Sequence, residues 1–99
     1  MTDPAEYRAP FTSTVGGVMT EEAGAITGDL ELLCRPAPDG THVAVRYAGT
    51  NDWYTVTGSP VRARGDEETR GRMLEHLTTP GPVVSGNEKP VTLEGLAGG

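Results

Sequence analysis

The stretch from Asp29 to Tyr47 constrains this 99-residue chain more than any other part of it. Two runs, Asp29-Leu30-Glu31-Leu32-Leu33-Cys34 and His42-Val43-Ala44-Val45-Arg46-Tyr47, flank Pro36-Ala37-Pro38-Asp39-Gly40. Apolar residues at every second position mark a strand with one buried face. Pro38 suits the second position of a type I turn, and Gly40 suits the left-handed position after it. A turn closed in this way sets Leu30 opposite Tyr47, Leu32 opposite Val45 and Cys34 opposite Val43, all on one face. Glu31 then faces Arg46 on the other face, an opposite-charge cross-strand pair. A register slip of one residue would mix the two faces, so the pattern itself selects this pairing.

The same apolar face continues into a third strand. Gly49-Thr50-Asn51-Asp52 is turn-rich and leads to Trp53-Tyr54-Thr55-Val56-Thr57. Pairing Ala48 with Trp53 sets Tyr47 against Tyr54 and Val45 against Val56. Asp66 to Thr78 reads as the helix: Asp66 caps it, Glu67 and Glu68 complement its positive end, and Thr79-Pro80-Gly81-Pro82 stops it. Its stripe of Met73, Leu74 and Leu77 is narrow, so the helix should lie on the sheet. Val83-Val84 and Val91-Thr92-Leu93, on either side of Ser85–Lys89, read as a C-terminal hairpin. Upstream, Thr12–Met19 reads as a strand with a bulge at Gly16-Gly17, and Glu21–Gly24 as a turn.

Fourteen glycines and eight prolines, with only 35% hydrophobic residues, favour short strands and turns over a helical bundle. The expected fold is therefore α+β: a three-strand meander plus a C-terminal hairpin, packed against one helix. Residues 1–12 are expected to be a mobile arm, 13–96 the single domain and 97–99 a short Gly-rich tail. The expected core is Leu30, Leu32, Cys34, Val43, Val45, Tyr47, Tyr54, Val56, Met73, Leu74, Leu77 and Val83.

A formal net charge of −6 disfavours a nucleic-acid partner, because phosphate binding needs clustered cations, and Arg62, Arg64, Arg70 and Arg72 are interrupted by Asp66, Glu67 and Glu68. No window is apolar enough to cross a membrane, and the start lacks the basic and apolar regions of a secretory leader, so a cytoplasmic home is expected. The scarcity of lysine beside arginine reads as the bias of a G+C-rich bacterial genome. Cys34 is alone and cannot close an internal disulfide.

Catalytic constellations are not assembled. Cys34 and His42 fall on opposite faces of the hairpin, out of each other's reach. His42 and His76 have no metal-ligand spacing, and His76 reads as a surface residue complementing the helix C-terminus. Glu21-Glu22 and Asp66-Glu67-Glu68 sit in a turn and at a helix start, where solvation and capping account for them. Arg64-Gly65-Asp66 has no extracellular context, and no phosphate-binding glycine loop or cofactor motif is present.

What remains is the second sheet face, where the register gathers Trp53, Arg46, Glu31 and Thr55. Tryptophan beside arginine is the composition of an interaction anchor. Two arrangements fit: this face is exposed and binds a protein partner or a second copy, or the N-terminal segment covers it with Phe11, Val15 or Val18 on Trp53. The first makes the chain a non-enzymatic binding module.

An alternative comes from the end of the chain, Leu96-Ala97-Gly98-Gly99, together with the order strand, strand, strand, helix, strand, strand from Asp29. In that order and in its last two residues the chain resembles the ubiquitin-like sulfur carriers, small acidic β-grasp proteins. The resemblance implies activation of Gly98-Gly99 as a thiocarboxylate, on a tail bare enough to enter an activating enzyme's channel. It departs from that family in the segment before residue 29, in the inserted 53–64 stretch and in the short tail after Leu93.

Overall fold

The computed structural model describes residues 6–61 and 67–94. In chain order the elements are β1 (Tyr7–Thr12), β2 (Val18–Thr20), β3 (Gly24–Ile26), β4 (Asp29–Ala37), β5 (Gly40–Tyr47), β6 (Tyr54–Thr55), α1 (Glu67–Leu77), β7 (Val83–Val84) and β8 (Asn87–Glu88). Strands β1, β4, β5 and β6 form one antiparallel sheet in that order, and β2–β3 and β7–β8 are two-stranded hairpins. The architecture is α+β, with a small antiparallel sheet and one helix among the described residues. That helix is too short to cross a membrane.

The β4–β5 hairpin takes the register its alternation dictates: Leu30 opposite Tyr47, Leu32 opposite Val45, Cys34 opposite Val43 and Glu31 opposite Arg46. The next strand differs from expectation by two residues, with Val45 opposite Tyr54 instead of Val56. The reason lies in Ala48, whose N–H donates to the Asp29 carbonyl at 3.0 Å and so points toward β4, away from β6. The turn is also pinned one residue earlier, because Thr50 donates to the Tyr47 carbonyl through both its N–H and its hydroxyl. A shift of two preserves the faces, and Tyr47 and Tyr54 still meet edge to face at 6.5 Å.

The second half of the expected arm is built differently. Tyr7–Thr12 is a strand, and it extends the sheet beside β4 with Tyr7 opposite Cys34 and Phe11 opposite Leu30. The residues expected to make one strand from Thr12 to Met19 are divided between the end of β1, a connecting segment and β2.

The core lies between the inner sheet face, α1 and the short hairpins. Met73 and Leu77 are fully buried and Leu74 half-buried, as the helix stripe requires. Burial of side chains of this size contributes about 2 kcal/mol each. Asp66, the expected cap, lies outside the described residues. Of the other expected members, Tyr54 is half-buried against the core like Leu74, while Tyr47 at 39% and Val83 at 67% are exposed and lie outside it. Val18, Ile26, Val61, Val91 and Leu93 are buried instead.

The misplacement of Val83 has a local cause. Ser85 and Gly86, at φ 54° and 80°, make a two-residue turn, so β7 pairs with Asn87-Glu88 and not with Val91–Leu93. The segment that follows is thereby freed to enter the core. Val91 donates to the Gly17 carbonyl at 2.8 Å and accepts from Met19 at 2.9 Å, and Leu93 donates to Thr57 at 2.8 Å. His76 fastens the helix to the same segment, its Nε2–H donating to the Thr92 carbonyl at 2.7 Å. It is half-buried and does structural work that reaches beyond the surface role its position implied.

Candidate open sheet face and its cleft

A sheet in a small domain offers partners its edges and its faces. The β6 edge is covered here, and the β1 edge is interrupted by a proline. Ser13 donates to the Gly28 carbonyl at 2.9 Å, which sets the alternation of β1 so that Arg8, Pro10 and Thr12 turn their main chain outward. Pro10 has no N–H to offer at the middle of that edge. At the other edge Glu21 donates to the Thr55 carbonyl at 2.9 Å, and Thr57 donates to Met19 at 2.9 Å. The Thr55 N–H and hydroxyl donate to the two oxygens of Glu22 at 2.6 and 2.8 Å. The Thr55 hydroxyl, and with it the Thr55 and Glu22 main-chain N–H groups, hold the Glu22 carboxyl below its ordinary value of 4.5 against a slight desolvation.

The outer face remains. Alternation places Arg8 on β1, Glu31, Leu33 and Arg35 on β4, His42, Ala44 and Arg46 on β5, and Thr55 on β6 together on it, with Trp53 just before β6. The four residues singled out from sequence are thus on one face, in two separate roles. Arg46 donates through Nε at 2.7 Å and through Nη2 at 2.5 Å to one oxygen of Glu31. Its guanidinium lies 4.5 Å from the centre of the Trp53 ring, and that of Arg8 lies 5.6 Å from it. Arg46 and Glu31 are engaged with each other and orient Trp53, while Trp53 and Thr55 line open space.

Among the described residues, cover of Trp53 by Phe11, Val15 or Val18, the second arrangement that fitted the sequence, is not what forms. Phe11 packs toward the core opposite Leu30, Val18 is buried in the core, and Val15 is 87% exposed. Tyr7–Thr12 joined the sheet in its plane, and none of the outer-face residues named above belongs to the core cluster.

On this face lies a cleft of about 550 Å³. Leu33 and Ala44 form its floor, Trp53 a wall, and Arg35 and His42 its rim, with Thr55 and Ser59 at one end. Ser59 is fixed there by the Val43 N–H, which donates to its hydroxyl at 2.8 Å. The contribution of Arg35 and His42 was readable from the register, because both fall on the Trp53 face, but only the folded sheet brings Trp53 over them. Cys34 sits on the opposite, inner face, 1% exposed, with its sulfur 3.9 Å from that of Met73. Gly98 and Gly99 lie outside the described residues.

Fold and face together define a small α+β domain with one sheet face that no described strand or helix covers. Compared with protein-family models, curated proteins and solved structures, the chain matches none.

Proposed function

We propose that this chain is a non-enzymatic binding module of the cytoplasm that takes its partner on the outer sheet face, with Trp53 as the anchor. The observation that carries this reading is the half-buried Trp53 ring, held by Arg46 and standing as the wall of an apolar-floored cleft. Rigid aromatic side chains set beside arginine supply contact area at low entropic cost, the usual composition of an interaction hot spot. Pro10 at the middle of β1 and the cover of β6 by Glu21, Glu22 and Met19 work against strand addition, which favours the face as the contact surface.

The test compares affinity capture from extracts of the source organism by the wild type and by Trp53→Ala and Arg46→Ala variants. A specific partner should be retained by the wild type and reduced about tenfold or more by Trp53→Ala, as expected for an anchor residue. Urea unfolding of the same variants should remain cooperative. Sedimentation over a range of dilutions identifies the case in which the partner is a second copy. Equal capture by wild type and variants, or loss of folding in both variants, would remove the basis for the reading.

A further inference from the structure

We propose that the cleft beside Trp53 binds an apolar group ending in a carboxylate, with the apolar body on Leu33, Ala44 and Trp53 and the carboxylate between Arg35 and His42. This rests on the reading of the outer face as a binding surface and adds the chemistry of what binds there.

Arg35 and His42 are directly opposite each other on β4 and β5. Side chains so placed share one face with their Cβ atoms about 5 Å apart, close enough to converge on one anion. They are the charged or titratable side chains among the described residues lining the cleft, and none of the described carboxylates lines it. Each is oriented from outside the cleft. Glu6 accepts from Arg35 Nε at 3.2 Å and lies 3.1 Å from its Nη2, and Asp39 lies 3.0 Å from His42 Nε2. Those contacts engage one side of each group. Nη1 of Arg35 and, in the protonated form of His42, Nδ1–H remain as donors.

Glu6 and Asp39 balance part of the charge of Arg35 and His42, and the donors left over are what a ligand would meet. An ammonium in this position would meet both basic groups, whereas a carboxylate matches the planar guanidinium and accepts from either group. The chain's net charge of −6 acts against anions at long range, but charges more than about 10 Å away are largely screened at ordinary ionic strength. A cleft of about 550 Å³ is in the size range of small-molecule sites, and it is large enough for a short peptide end.

Trp53 is the single tryptophan, so its emission reports occupancy of the cleft directly. The probes are 4-phenylbutanoate and N-acetyl-leucyl-leucine, each titrated beside its own carboxamide. Saturable perturbation of Trp53 by at least one acid is expected, with its amide roughly tenfold weaker, the effect of one charge-assisted hydrogen bond at a half-exposed site. Arg35→Gln and His42→Gln should each lower affinity for the acid by a similar factor and leave the amide unchanged. Both side chains are about half exposed, so the variants should keep the wild-type urea midpoint. A response to one acid only tells a free organic acid from a peptide terminus as the source. Equal affinity for acid and amide, or variants that affect both alike, would overturn the carboxylate assignment while leaving an apolar binding cleft. No Trp53 response to any of the four probes also overturns it, and the capture experiment then decides the outer-face reading independently.

Discussion

The cleft wall depends on Arg46 holding two partners at once, and this can be measured by paired double-mutant cycles. Glu31 and Arg46 are 26% and 20% exposed at their side chains, between the surface and the interior. Exposed ion pairs contribute about 0.2–1 kcal/mol, and loss of one partner of a buried pair costs about 3–5 kcal/mol. With two donors of Arg46 on one oxygen of Glu31, a coupling of about 1.5 kcal/mol is expected, allowing for the desolvation both groups have undergone. The guanidinium 4.5 Å from the Trp53 centroid adds a cation–π coupling of about 0.5–1 kcal/mol. Arg46→Ala should therefore cost about 2 kcal/mol, more than either Glu31→Ala or the cation–π part of Trp53→Ala. The assay is urea unfolding followed by far-ultraviolet circular dichroism, since fluorescence is lost with Trp53. The single variants at positions 31, 46 and 53 and the doubles 31/46 and 46/53 supply both cycles, with constant slopes as the condition for comparing them. Couplings below about 0.3 kcal/mol in both cycles, within the ordinary scatter of additivity, would refute the reasoning: Trp53 would then not be held by Arg46 and the wall would not be preorganised.

Three further outcomes follow from the same geometry. Leu93→Ala should destabilise by about 2–4 kcal/mol in urea unfolding, because Leu93 is 2% exposed in the core; a cost below about 1 kcal/mol would mean that the segment after β8 is not docked. Gly58→Ala should cost more than about 1 kcal/mol, since Gly58 has φ 101° and a methyl group there would lie 2.5 Å from the Glu94 nitrogen; a neutral effect in the same assay would contradict that close approach. Glu22 has a folded-state carboxyl lowered below 4.5, so its contribution is present above the unfolded value and is lost as pH falls through the folded one. The Thr55 amide proton resonance should titrate with that lowered value, and the stability gap between wild type and Glu22→Gln should close on acidification; a Thr55 resonance indifferent to pH from about 6 to about 2 would refute the clamp.

The register and the two faces of the β4–β5 hairpin were decided by the sequence alone, as was the helix with its stripe of Met73, Leu74 and Leu77. In these segments the information is local: a period of two closed by a proline–glycine turn, and a period near 3.6 bounded by helix stop signals. Trp53, Arg46, Glu31 and Thr55 could be assigned to one face for the same reason. The tertiary structure alone decided where the remaining short segments went. Tyr7–Thr12 carries no clear alternation and has Pro10 at its middle, yet it becomes a strand because β4 offers an unpaired edge beside Leu30, Leu32 and Cys34. Val91 and Leu93 replace Val83 in the core because a tight turn at Ser85-Gly86 uses up the hairpin early and leaves the next segment to fill the space between Val18 and Thr57. The cleft likewise exists only in the folded sheet, where the pairing across β4, β5 and β6 sets Arg35 opposite His42 and lays Trp53 beside them. A two- or three-residue strand has too few positions to encode its own partner, so its place is set by whichever edge and apolar surface the longer elements leave open.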